Sequence, residues 1–230
     1  MDTPPVTVIV TTYDDGSGLR TSLAVQTLLA LQQKLIYPNL RWIIADDGSA
    51  QVHLDTLYKI KPEAQVTNAA RGGVGKSKNL ALQEAFKVSP YVLLLEDDWL
   101  LKEPLDLAPH IGALERHSDL GMVRMGYLGG TIIADFDGDS LYSFWRLRRG
   151  SGVYIYSGQV SIRTEKFYAA VDWHKEGIPA GEEELDMCIR FNAADNAPDI
   201  IWPAMFGCML NTSPFINIGM NASLNAVMPE

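Results

Sequence analysis

The chain has 230 residues, a formal net charge of −9, 47% apolar residues and 20% charged residues. That length suffices for one well-buried domain, and the composition excludes a chain dominated by disorder. The acidic balance excludes a nucleic-acid platform, which needs a basic face, but not a single nucleotide, because a divalent cation can bridge carboxylates and a diphosphate.

Met1-Asp2-Thr3-Pro4-Pro5 lacks a basic leader, and the apolar run Val6–Val10 is too short for a signal peptide. No stretch is long enough to be an integral membrane segment. Cys188 and Cys208 form neither a disulfide framework nor a metal spacing. The expectation is a cytoplasmic protein, at most peripheral to a membrane.

In chain order, the β-branched run Val6–Val10 predicts a buried strand, broken at Asp14-Asp15-Gly16. A helix is predicted from about Leu19 to Leu35, with Leu28, Leu31 and Leu35 along one side. Leu40–Ala45 is a second short apolar strand, ended by Asp46-Asp47-Gly48-Ser49. Ser77–Val88 has helical spacing, and Tyr91–Leu95 is a third, continuously apolar strand. Strands alternating with helices in this rhythm predict an α/β fold with a parallel sheet covered on both faces.

Beyond Asp98 the pattern changes. Pro104–His117 reads as a helix, and Met122–Ile162 as several short strands with turns at Gly129-Gly130, Asp137-Gly138 and Gly150-Ser151-Gly152. A helix follows from about Glu183 to Ala194, and the last fifteen residues carry no clear pattern. No linker or repeat divides the chain. The expectation is a single domain: residues 1–100 as a nucleotide-binding half, 101–212 as an acceptor-binding half and 213–230 as a tail.

Ligands of an open parallel sheet bind at the carboxyl ends of its strands. All three apolar strands end in acids: Asp14-Asp15, Asp46-Asp47 and Glu96-Asp97-Asp98. One such cluster alone reads as a turn or a helix cap; three at one rim predict a shared crevice. Glu96-Asp97-Asp98 is the sharpest, since adjacent acids leaving a core strand repel unless a hard divalent cation, Mn2+ or Mg2+, relieves them.

Val6-Thr7-Val8-Ile9-Val10-Thr11-Thr12-Tyr13, then Trp42–Ser49, then Gly75-Lys76-Ser77-Lys78-Asn79 and Leu93–Asp98, resemble the family 2 glycosyltransferases of GT-A fold. The likeness covers about the first hundred residues. It implies a Rossmann-like, mostly parallel sheet flanked by helices, and inverting transfer from a UDP- or GDP-sugar to a carbohydrate, lipid-linked or protein acceptor. By this resemblance Thr11 and Tyr13 line the nucleoside pocket, Asp47 accepts a hydrogen bond from the base, and Lys78 and Asn79 lie near the nucleotide. Glu96, Asp97 and Asp98 stand at the family's DxD position, with Asp98 the metal ligand and Glu96 in place of the usual first Asp. Gly181–Asp186 resembles the second acidic motif. Aligning Asp186 and Arg190 with the family's Asp and Arg puts Glu184 at the general base, with Glu183 as the alternative. Outside the resemblance, the same glutamates read as an acidic helix start.

Other motifs compete. Arg71–Ser77 resembles a phosphate-cradling loop and would make the chain a P-loop-type ATPase using Gly72–Ser77, although Ala70 stands where that pattern needs its first Gly. A non-catalytic nucleotide-sugar binding module is the other alternative. Asp135–Asp139 begins like a calcium loop, but Arg146 occupies the closing position, so a hairpin turn is expected. His174 is expected to be structural. Trp99 is the first choice to stack on an acceptor sugar, and Arg146, Arg148 and Arg149 form the dense basic patch.

Overall fold

The computed structural model describes residues 3–127, 132–207 and 212–219. The elements run β1 (Val6–Thr12), α1 (Leu19–Lys34), β2 (Leu35–Ile36), β3 (Leu40–Asp46), α2 (Gln51–Ile60), β4 (Gln65–Asn68), α3 (Val74–Phe86), β5 (Tyr91–Glu96), β6 (Trp99–Leu101) and β7 (Leu105–Asp106). They continue as α4 (Ala108–Arg116), β8 (Leu120–Arg124), β9 (Ala134–Gly138), β10 (Ser143–Leu147), β11 (Ser161–Thr164), α5 (Glu165–Val171), α6 (Ala180–Ala193), β12 (Asp199–Pro203) and β13 (Phe215–Asn217).

Nine strands form one sheet in the order β4-β3-β1-β5-β11-β8-β12-β10-β9. Strands β4, β3, β1, β5, β8, β12 and β9 run one way, and only β11 and β10 run against them. Successive residues of the central strands feed opposite faces. Val8, Val10, Leu93 and Leu95 pack with Leu28 and Leu31 of α1 and with Ile111 and Leu114 of α4. Ile9, Val92 and Leu94 pack with Leu82 of α3, Phe167 of α5 and Met187 and Phe191 of α6. Burial on both faces is why these strands are apolar throughout rather than alternating.

Register sets the rim. Thr11 of β1 lies opposite Ala45 of β3 on one side and Glu96 of β5 on the other, and Thr12 lies opposite Asp46. The residues that follow, Tyr13, Asp47 and Asp97, therefore leave the sheet at one level.

Several expectations need adjustment. Helices α2 and α5 and strands β4 and β12 were not anticipated. Helix α2 buries only His53, Leu54 and Leu57, too narrow a stripe to stand out. Asp137-Gly138 does end a hairpin strand, β9, which pairs antiparallel with β10. Gly129-Gly130, Cys208, Asn221 and Asn225 lie outside the described residues. Ile216 and Asn217, expected in an unpatterned tail, belong to β13, which pairs with β6. Trp99 is 1% exposed, so it is a core residue and presents no face to a sugar. The basic patch is spent internally: Arg146 pairs with Asp119, Asp137 and Asp199, and Arg148 with Asp135. Among the described residues no helix is long and apolar enough to cross a membrane.

Candidate active site

A cleft of about 350 Å³ opens at the carboxyl ends of β1, β3 and β5. Thr11, Thr12 and Tyr13 after β1, Asp47 after β3, Glu96 and Asp98 at the end of β5, Gly73, Val74 and Ser77 at the α3 start and Pro179 and Ala180 at the α6 start line it. A larger, shallower groove of about 570 Å³ runs past Ser118, Asp119 and Lys166 but contains none of the strand-end carboxylates. The smaller cleft is the candidate site, because convergent buried polar groups rather than volume mark a ligand pocket.

The acids divide into two kinds. Asp14 receives the amides of Gly16 at 2.8 Å, Gly18 at 3.1 Å and Thr21 at 2.9 Å, and so tethers the entry to α1. Asp46, fully buried, receives the amides of Gly48 and Ser49. Both are turn formers. Asp47 opens to the cleft; its Oδ1 accepts the Gly73 amide at 2.9 Å, and burial raises its carboxyl above the ordinary range against that bond. Beside it the Arg71 guanidinium stacks on Tyr13, 3.9 Å from the ring centre.

Asp97 faces inward. It has no exposure, its Oδ2 accepts Thr12 Oγ1 at 2.6 Å, its carbonyl accepts Thr27 Oγ1 at 2.8 Å, and Oδ1 pairs with Arg20. Burial pushes its carboxyl up to about 7 against the pull of Arg20 and Thr12. Asp98 faces the cleft. Arg20 Nη1 donates to its Oδ2 at 3.0 Å, while Oδ1 is buried with no hydrogen-bond partner among the described residues. A buried carboxylate oxygen without a partner is costly unless something binds it.

No group of three or more His, Cys, Asp or Glu side chains among the described residues makes a metal cage. Asp98 Oδ1, with Glu96 on the same cleft wall, nevertheless suits Mg2+ or Mn2+, which take one or two carboxylates and complete the shell with phosphate and water oxygens.

Lys78, Asn79, Glu183 and Glu184 do not line the cleft. Lys78 is 2% exposed, and its Nζ lies 3.5 Å from Glu96 Oε1 and 3.3 Å from Glu183 Oε2, tying the end of β5 to the start of α6. Asn79 clamps the loop before α6: Nδ2 donates to the His174 carbonyl at 2.8 Å and to Glu176 at 2.9 Å, and Oδ1 accepts the His174 amide at 3.0 Å.

The neighbouring glutamates Glu183 and Glu184 sit in opposite environments. Glu183 is 1% exposed between Lys78 and His174. Burial opposes its charge, but Lys78 and His174 outweigh burial and hold the carboxyl well below the usual range. His174 is itself pushed down to about 4 by burial, so it is a neutral donor. Glu184 is half-buried; its Oε1 accepts the Gly158 amide at 2.6 Å and Ser157 Oγ at 3.1 Å, which fixes the carboxylate's direction.

The Gly72–Ser77 segment is not built as a phosphate cradle. The strand before it, β4, is a four-residue sheet edge, the Gly73 amide is taken by Asp47, and the Lys76 chain folds over Gly72. A P-loop requires a buried strand and free amides.

The contributions of Arg20, Ser157 and Gly158 carry no signature in the sequence. Arg20 meets Asp97 and Asp98 across 77 and 78 positions, and no local spacing encodes such a pairing.

No protein-family profile and no curated protein matches the sequence. Solved structures do match. Residues 1–349 of S. aureus TarS in complex with UDP align over 86% of this chain and 57% of theirs, at 20% identity and a TM-score of 0.60. GalNAc-T7 with UDP, GalNAc and Mn2+ aligns over 87% and 42%, at 10% identity and 0.60. A mannosyltransferase from Pyrobaculum calidifontis, in complex with GDP-Man and Mn2+, aligns over 76% and 48%, at 16% identity and 0.52. The chain thus spans 42% to 57% of the length of these solved chains, and 35% of a longer TarS chain. At such identities the likeness is one of architecture, and the architecture they share with this chain is the GT-A glycosyltransferase fold.

Proposed function

We propose that the chain is a glycosyltransferase that moves a sugar from a UDP- or GDP-sugar to an acceptor hydroxyl, with inversion and with the help of Mn2+ or Mg2+. One observation carries the reading: Asp47 from the end of β3 and Asp98 from the end of β5 line one cleft, and Asp98 Oδ1 is buried and, among the described residues, has no hydrogen-bond partner. The donors named with TarS, GalNAc-T7 and the mannosyltransferase, all uridine or guanosine nucleotides or their sugars, support it.

In this reading Thr11, Tyr13 and Asp47 hold the nucleoside, Asp47 accepting an N–H of the base. Asp98 anchors the cation, and Glu96 shapes the same wall under the hold of Lys78. The bound cation would stabilise the charge of the departing diphosphate. Glu184 takes the acceptor's proton as its oxygen attacks the anomeric carbon. Its support is an oriented carboxylate that forms no salt bridge among the described residues, whereas Glu183 is locked between Lys78 and His174. Lys78, Asn79 and Glu183 act as the scaffold beneath.

A ligand that binds only the folded protein raises its melting temperature by mass action. We expect UDP or GDP to raise the melting temperature in the presence of Mn2+, Asp98→Asn to abolish most of that gain, and a matching UDP- or GDP-sugar to be consumed. Stabilisation by ATP alone would favour the P-loop reading. Donor binding with neither transfer nor hydrolysis across an acceptor panel would leave a binding module.

A further inference from the structure

The proposed catalysis leaves one cation of the cleft without a role. Arg20 sits in the first turn of α1, far from the acidic strand end in sequence, yet its guanidinium joins the cleft wall between Asp97 and Asp98. One arm pairs with Asp97, which is fully buried and otherwise fixed by Thr12 and Thr27. The other arm donates to Asp98 Oδ2 at 3.0 Å. The second oxygen of the same carboxylate, Oδ1, is buried and has no hydrogen-bond partner among the described residues. Arg20 is itself largely enclosed, its side chain 17% exposed.

We propose that Arg20 is a positioning residue that makes the cleft take a divalent cation and a nucleoside diphosphate together rather than the cation alone. The inference rests on the donor reading given above. Arg20 holds Asp98 by one oxygen and leaves the other, buried, without a hydrogen-bond partner among the described residues, so the carboxylate is already oriented. The same guanidinium is a fixed positive charge on the carboxylate that a bare cation would have to share, and like charges that close repel strongly in a partly desolvated site. A diphosphate reverses the balance. It brings negative charge to both cations, and the free donors of a planar guanidinium suit phosphate oxygens. The cation and the nucleotide then strengthen each other's binding by one and the same factor.

The test measures binding, not turnover. Mn2+ binding is followed by electron paramagnetic resonance without nucleotide, and UDP and GDP binding by calorimetry with and without Mn2+. Removing Arg20 alone leaves the buried Asp97 charge unpaired and endangers folding. The informative variant is therefore Arg20→Gln/Asp97→Asn, which neutralises both members of that pair. Arg20→Lys keeps the charge. We expect the wild type to bind Mn2+ alone weakly and to bind its preferred nucleotide far better with Mn2+. The double variant should bind Mn2+ alone about tenfold more tightly or better than Asp97→Asn, which differs from it only by the charge of Arg20, with a correspondingly smaller mutual factor, as expected when a neighbouring positive charge is removed. Arg20→Lys should retain most of the coupling. Equal or weaker Mn2+ binding by the double variant than by Asp97→Asn overturns the role of Arg20 while leaving the donor reading intact. Failure of the wild type to bind either nucleotide, with Mn2+ binding still responding to the double substitution, overturns the donor reading instead.

Discussion

Glu183 and Glu184 are identical in chemistry and adjacent in sequence, yet their surroundings assign them different work. Lys78 and His174 consume the carboxylate of Glu183, and a base already paired with a buried ammonium has little affinity left for a proton. Glu184 is oriented through Oε1 by a backbone amide and a hydroxyl. Glu184→Gln should keep the nucleotide-induced rise in melting temperature while kcat falls by about 10²- to 10⁴-fold, the usual weight of general-base catalysis. Glu183→Gln should behave differently. It leaves Lys78 short of its counter-charge inside the protein, so unfolding by urea should show a loss of about 3–5 kcal/mol, as for a broken buried pair. Normal stability with lost activity in Glu183→Gln would exchange the two roles. The acidic spacing alone left these two side by side; what separates them is a lysine more than a hundred positions upstream.

At the scale of elements, α3 shows what local pattern conveys and what it does not. Its apolar spacing was legible, and so were β1, β3 and β5, because a strand buried on both faces is apolar without interruption. Helices α2 and α5 were not, since α2 buries three side chains and α5 is a short piece between a strand and a loop. The glycines before and within α3 looked like a phosphate loop. Gly75 instead admits the backbone of the loop ahead of α6: a Cβ there would stand 2.2 Å from the Lys175 carbonyl oxygen and 3.5 Å from Glu183 Cγ. Backbone cannot yield as a flexible side chain does. Gly75→Ala should therefore cost about 1–3 kcal/mol in unfolding experiments, in the range of overpacked sites, and should lower transfer by displacing the α6 start. An unchanged stability would mean that the contact between α3 and this loop is loose.

Across the whole molecule, the parallel half and its acidic rim could be read because strand, turn and carboxylate recur in sequence order, whereas the order of β11, β8, β12, β10 and β9 depends on long-range pairing of short strands. That second half also carries a buried titratable group remote from the cleft. His110 of α4 is fully enclosed, its Nδ1 2.5 Å from Tyr142 Oη and its Nε2 without a partner among the described residues. Burial pushes it down to about 4 from 6.5, so the native state keeps it neutral where the unfolded chain protonates it. Between those two values the unfolded state binds more protons, and stability contributed by neutral His110 is lost as the pH falls. The displacement amounts to about 2 kcal/mol between pH 7 and pH 5. Asp97, raised to about 7, works in the opposite sense, losing stability as the pH rises through the same interval. The total pH profile therefore conceals both, and the measurement must be a difference. Urea unfolding of the wild type and of His110→Gln at pH 7 and pH 5 should show the wild type losing about 2 kcal/mol relative to the variant on acidification, with Asp97 cancelling because it is common to both. Parallel profiles would mean that His110 is protonated in the native state, with its charge accommodated beside Tyr142 and Phe206.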